Sequence, residues 1–220
     1  MSVLDAVELY RFFHVGDEET AALRGVSISL EEGETIALVG PSGSGKSTLF
    51  ACLTGLDEPD GGWVSVNGVR LTRRSEAVRA RLRASNFGIM LQTSNLFQHL
   101  TVEENMLFQM QLAGKSDRVR MTELLEAVGI AHRAGSYPNS LSGGETARAG
   151  LATAIAADPP ILIADEPTAE VDADTERLLF SLFDQRRKDG LATLLSTHSA
   201  ALAERADRII FLRDGRVGDA

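Results

Sequence analysis

The 220-residue sequence holds a single cysteine, Cys52, so no internal disulfide is open to it; within an apolar stretch this residue reads as a small buried side chain. It also lacks any run of ~18 or more uncharged apolar residues, the length a membrane-crossing helix needs. Its start, Met1-Ser2-Val3-Leu4-Asp5, lacks the basic-then-apolar order of a secretory leader. These absences predict a cytosolic chain. Cations are in the minority, 22 Lys and Arg against 31 Asp and Glu, and the net charge of −9 argues against a general grip on nucleic acid. Arg70, Arg73, Arg74, Arg79, Arg81 and Arg83 are a local exception. Glu76 and apolar residues at helical spacing interrupt them, which predicts a solvated amphipathic helix; a contact with anionic headgroups or a partner is the alternative. No internal repeat or low-complexity linker is present.

With 44% hydrophobic residues the chain can bury a sizeable core, as one large domain or a core with a subdomain. Val3 to Leu9 and Val26 to Leu30 read as strands, and the nearly all-apolar Thr35 to Val39 reads as a buried parallel strand. Asp60-Gly61-Gly62 and Asn67-Gly68 bracket Trp63 to Val66 as a hairpin strand. From Gln92 to Leu141 the pattern turns helical, with a start signal at Thr101 to Glu104 and a stop at Gly129. An Ala-rich helix follows to Ala157, and Pro159-Pro160 breaks it before the strand Ile161 to Ala164. Leu191 to Thr197 and Arg208 to Leu212 repeat the strand signature, with helices over Asp174 to Lys188 and Ala200 to Arg205. This alternation predicts a mainly parallel sheet covered by helices.

Gly40-Pro41-Ser42-Gly43-Ser44-Gly45-Lys46-Ser47-Thr48 lies between an apolar strand and a helix-compatible stretch. Its spacing is that of a phosphate cradle. Glycines let backbone N–H groups turn toward anionic oxygens, Lys46 reaches the terminal phosphates, the Ser47 hydroxyl holds Mg²⁺, and the helix start adds its positive dipole end. Asp165 and Glu166 close the Ile161 to Ala164 strand at its carboxyl edge, where ligand sites of α/β proteins form. Asp165 is the candidate Mg²⁺ ligand, through water, and Glu166 the candidate for polarising water that attacks a γ-phosphate. His198 just past another strand, and Gln92 after Phe87 to Leu91, reach the same edge; His198 can hold the γ-phosphate or the water, and the Gln92 amide can ligate Mg²⁺ or water. Ser142-Gly143-Gly144-Glu145 opens a helix as a second anion-binding device, or as a capping box with no ligand. Two such devices beside one nucleotide constellation predict that the second serves a neighbouring copy, head to tail.

In this order the motifs resemble those of the ATP-binding-cassette ATPases over essentially the whole chain. Gly40 to Thr48 resembles the Walker A motif, Gln92 the Q-loop, Leu141 to Glu145 the signature, Ile161 to Glu166 the Walker B motif with its catalytic glutamate, Asp172 the end of the D-loop, and His198 the switch histidine. The resemblance implies an α/β fold: a P-loop NTPase core with a mainly parallel sheet, an N-terminal antiparallel β subdomain and an inserted α-helical subdomain. It places the catalytic core at 1–91 and 151–220 and the helical part at 92–150. It implies ATP and Mg²⁺ as ligands, two nucleotides in a head-to-tail dimer, and Phe13 stacked on adenine, with Tyr10 and Phe12 as neighbouring alternatives.

The wording at Thr20 to Gly25, Gly55-Leu56-Asp57, Thr101 to Asn105 and Ala164 to Thr168 is similar to the macrolide-export, lipoprotein-release and cell-division branch. That implies an integral membrane permease as partner, a place on the cytoplasmic face of the membrane, and export or extraction of a lipid, peptide or drug. A regulatory switch that acts on an envelope enzyme without moving a solute has the same catalytic residues. A DNA-repair or chromosome role fits poorly, since the interval between cradle and signature has no heptads and no cysteine pair. Thr146-Ala147 replaces two glutamines, Ala169-Glu170-Val171 precedes Asp172, and Ser199 stands where aspartate is common. These departures bear on the dimer seam and leave the catalytic groups in place.

Overall fold

The computed structural model describes residues 1–15, 18–92, 95–169 and 171–218; Glu170 lies outside them. At its centre β3 (Thr35–Val39) pairs in parallel with β8 (Ala192–Ser196) on one side and β9 (Arg208–Arg213) on the other. Beyond β8 lie β7 (Ile161–Asp165) and then β6 (Phe87–Met90), both parallel, while β10 (Arg216–Gly218) turns back antiparallel on β9. The side chains of these strands alternate between two cores, as the period of a strand requires. Ile36, Leu38, Ile161, Ile163 and Leu194 pack on one face, and Ala37, Leu162, Ala164 and Leu195 on the other. Burial of both faces explains why the sequence shows continuous apolar runs here rather than polar alternation.

One face meets α1 (Lys46–Leu53) and a second, antiparallel sheet built from β1 (Ser2–Val15), β2 (Glu18–Glu31), β4 (Gly61–Val66) and β5 (Val69–Arg70). The strands β1 and β2 run well past the apolar stretches Val3 to Leu9 and Val26 to Leu30. Register shifts between Ala6 and Leu9, Leu9 and Tyr10, and Arg11 and Phe12 break the alternation that marks a strand in sequence. Asn67 and Gly68, both at positive φ, turn β4 into β5 as the Asn-Gly pair predicts.

The other face of the parallel sheet is covered by α5 (Gly143–Ile155), α6 (Ala173–Lys188) and the short α7 (Ala200–Ala203). A third cluster joins α5 to α3 (Val102–Leu112) and α4 (Arg118–Ala127). Because α5 contributes Leu151 and Ile155 to one cluster and Ala149 and Ala152 to the other, it crosses the expected division at residues 150 and 151 as one continuous helix. The arginine-rich segment forms α2 (Glu76–Asn86), which has no buried residue. Arg79 pairs with Glu58 and Glu76, and Arg83 with Glu76, so the helix is solvated as its composition predicts.

Gly62 carries the β1–β4 register shift. At φ +81° a Cβ on it would come within 2.2 Å of the Glu8 carbonyl oxygen and 2.3 Å of that of Val7, whereas Gly68, at φ +74°, faces open space. Gly68→Ala is expected to cost only the left-handed backbone penalty, ~1–2 kcal/mol. Gly62→Ala is expected to cost several kcal/mol in urea unfolding, because backbone must move as well. Equal losses would contradict this placement of β4.

Candidate active site

The parallel strands β3, β6, β7, β8 and β9 point their carboxyl ends at one edge of the sheet, and a cleft of about 640 Å³ opens there. From β3 comes the loop Gly40 to Gly45, which leads into α1. Gly40 and Gly45 are required by close approach: a Cβ at Gly40 would lie 2.1 Å from the Leu212 carbonyl oxygen, and one at Gly45 2.5 Å from that of Ala22. Lys46, almost buried, donates from Nζ to the carbonyl oxygens of Gly40 at 2.7 Å and Pro41 at 3.3 Å. An ammonium has three protons, so two bonds across the loop leave one for an anion.

Ser47 Oγ donates to Asp165 Oδ2 at 2.7 Å, which ties the start of α1 to the end of β7. The other carboxylate oxygen, Oδ1, accepts a hydrogen bond from Ser196 at the end of β8, and the same Ser196 Oγ accepts from the Glu166 N–H at 2.9 Å. Glu166 stands at φ 51°, in the left-handed region that side-chain-bearing residues rarely take. The His198 backbone N–H donates to Glu166 Oε2 at 3.2 Å. His198 Nε2 lies 3.1 Å from the buried Oε1, an ion pair when the imidazole carries both ring protons. Gln92, after β6, is exposed and lines the cleft with Ser42, Gly43, Gly45, Lys46, Ser47 and Thr48.

Phe13 lies on the same cleft, 40% exposed, with the Arg11 guanidinium 4.8 Å from its ring centre. Arg11 is fixed by Asp57 and Asp60. Tyr10 and Phe12 stack on each other instead and do not line the cleft, which separates Phe13 from its two neighbours. Thr20, Ala22, Arg24, Asp214 and Gly215 also line the wall and were not anticipated from sequence. Gly215 accepts from the Arg24 N–H at 2.7 Å and donates to the Ser44 carbonyl at 3.0 Å, so the β9–β10 turn locks the cradle to β2. The carboxyl-edge logic that located Asp165 and His198 reaches Asp214 and Gly215 when applied to β9. Ser196 is found the same way, since parallel register sets it beside Asp165. Cys52 lies buried in α1, away from the cleft, and burial pushes its thiol up to about 12.

The segment Ser142 to Glu145 is not part of this cleft. Ser142 and Gly143 face solvent, and the capping box is complete: the Ser142 Oγ accepts from the Glu145 N–H at 3.3 Å, and Glu145 Oε2 from the Ser142 N–H at 2.8 Å. That backbone bond, then the Arg133 guanidinium, hold the Glu145 carboxyl down at about 2. Asp172 caps α6 through the Thr175 N–H, which lowers its carboxyl too, and lies beside Gly144. Arg148 reaches from α5 to Thr175, so the second anion-binding device and Asp172 form one unit apart from the cleft.

The family model described as ABC transporter matches residues 23–169. The lipoprotein-releasing system ATP-binding protein LolD 2 of Caulobacter vibrioides is 37% identical over 213 residues, covering 95% of this chain and 93% of that protein. The macrolide export ATP-binding/permease protein MacB of Rhodospirillum rubrum is 36% identical over 218 residues, 98% of this chain but 34% of that longer protein. Among solved structures, the ATP-binding cassette MJ0796, a dimer in a post-hydrolysis state bound to ADP and Pi, superposes with a TM-score of 0.94 at 30% identity, over 98% of this chain and 97% of that one. The chain therefore belongs to the ABC transporter family, as one of its ATP-hydrolysing cassettes.

Proposed function

We propose that this ATPase works as a pair of identical or similar chains on the cytoplasmic face of a membrane, driving a separate permease that exports or extracts a lipid, peptide or drug. The observation that carries the reading is the division of its phosphate-binding groups. Lys46, Ser47, Gln92, Asp165, Glu166 and His198 share one cleft, while Ser142, Gly143, Gly144, Glu145 and Asp172 lie outside it with Ser142 and Gly143 open to solvent. A head-to-tail pair puts the second set of one copy over the first set of the other. A permease partner is supported by the names of the LolD and MacB relatives. Among the described residues no helix is long and apolar enough to cross a membrane.

In this reading Phe13 stacks on adenine, and the backbone of Gly40 to Thr48 with Lys46 cradles the phosphates. The Ser47 hydroxyl and Asp165 carboxylate, facing each other at 2.7 Å, form with Gln92 a hard oxygen donor set that fits Mg²⁺, with Asp165 acting through water. When bound, Mg²⁺ would neutralise charge developing on the phosphates. In this reading Glu166 is the general base that takes a proton from water, and His198, with its backbone N–H 3.2 Å from Oε2 and its Nε2 3.1 Å from Oε1, steadies the same carboxylate. In this account the permease is read by a surface within Gln92 to Leu112 of the helical part, residues 92–150, while the core, 1–91 and 151–220, holds the phosphate cradle, Asp165, Glu166 and His198.

Glu166→Gln is expected to keep ATP binding, to lose ~10²-fold or more in turnover, and to collect as an ATP-held dimer on size exclusion with light scattering. Normal steady-state hydrolysis by this variant would sink the role given to Glu166. Reconstituting the chain with the membrane protein that copurifies with it is expected to give ATP-dependent movement of a solute. Hydrolysis coupled to an envelope enzyme with no solute moved would replace transport by a regulatory role.

A further inference from the structure

Ser196 is completely buried at the end of β8, in the run Ala192-Thr193-Leu194-Leu195-Ser196 whose other members are equally enclosed. Its hydroxyl has one proton and lone pairs to accept with, and both functions are spent on the candidate site: Oγ donates to Asp165 Oδ1 and accepts from the Glu166 N–H at 2.9 Å. Resting on the assignment of Asp165 to the metal and Glu166 to water, we propose that Ser196 is a positioning residue that sets both carboxylates with a single hydroxyl.

Its two bonds do different work. A carboxylate turns easily about its last torsion, whose preferences are broad and two-fold. With Oδ1 held by Ser196, Oδ2 is the oxygen presented to Ser47 and to the metal. Glu166 needs help of another kind, because its φ of 51° is a conformation its own side chain disfavours. The bond from its N–H to Ser196 fixes the peptide at the point where the chain leaves β7, and the side chain then meets the His198 N–H at 3.2 Å. An apolar residue at 196 would pack equally well in this strand but would leave a buried carboxylate oxygen and a buried N–H each short of a partner. Ser196 does not itself line the cleft, so its hydroxyl acts on the cleft through Asp165 and Glu166, which do.

The test uses the full chain with Ser196→Ala and Ser196→Thr. In nucleotide-free protein, amide hydrogen exchange at Glu166 is expected to quicken about tenfold in the alanine variant and to return with threonine, the ratio one hydrogen bond carries. In ATP-loaded protein, Mn²⁺ binding followed by electron paramagnetic resonance is expected to weaken about tenfold with alanine. The kcat should fall and metal-free ATP affinity should stay unchanged. A folded Ser196→Ala protein with wild-type exchange at Glu166 and wild-type Mn²⁺ affinity would overturn the proposal. Should alanine fail to fold, Ser196→Cys preserves shape with a weak donor, and wild-type Mn²⁺ affinity and exchange in it would overturn the proposal equally. Asp165→Asn separates the two layers: unchanged Mn²⁺ affinity there would remove the metal assignment itself, whatever Ser196 does to Glu166.

Discussion

The parallel pairing of β3, β7, β8 and β9 inside a sheet buried on both faces is the constraint from which the rest of this structure follows. Parallel strands all end on the same side, so the residues just past their carboxyl ends are forced together however far apart they lie in sequence. Asp165 and Ser196, at the ends of β7 and β8, and Ser47, in the helix that follows β3, meet through hydrogen bonds for this reason. Burial on both faces leaves the strands no freedom to slip, since a shift of one residue would exchange the two cores. The positions of the cleft's polar groups are thus set by apolar packing well below them.

The helical half obeys a different logic. Its capping box gives α5 a firm start, and Arg148 and Asp172 bind that start to α6, so Ser142 and Gly143 are presented on a rigid mount while facing solvent. A helix start with free N–H groups, held rigid and facing outward, is suited to an anion delivered from outside the chain. The cleft meanwhile remains open on the side away from the sheet. In the proposed pair a nucleotide bound there would be covered by the Ser142 segment of the other copy.

Much of this was legible in the sequence because buried parallel strands announce themselves as short apolar runs and deliver their next residue to a known edge. That locates Lys46, Ser47, Gln92, Asp165, Glu166 and His198 together, and the structure brings them into one cleft. The strands β1 and β2 extend beyond Val3 to Leu9 and Val26 to Leu30, because the irregularities near Glu8, Leu9 and Phe12 erase the alternation while the backbone pairing continues. Thr20, Ala22 and Arg24 escaped with that extension. The two-residue strand β5 carries no periodic signal at all, although the Asn-Gly turn before it does. Ser196 escaped for another reason: a serine in an apolar run looks like dilution until strand register sets it beside an aspartate.

The central claim is that each cleft is half of a site, completed by Ser142 to Glu145 of another copy. It is tested most directly by mixing two defective chains, Lys46→Ala and Ser142→Arg, and measuring ATP hydrolysis. Each chain alone is predicted to be inactive, and the mixture to regain activity, because a mixed pair contains one cleft with Lys46 intact facing one intact Ser142 segment. Full activity of Ser142→Arg alone, or a mixture as inactive as its parts, would contradict the account.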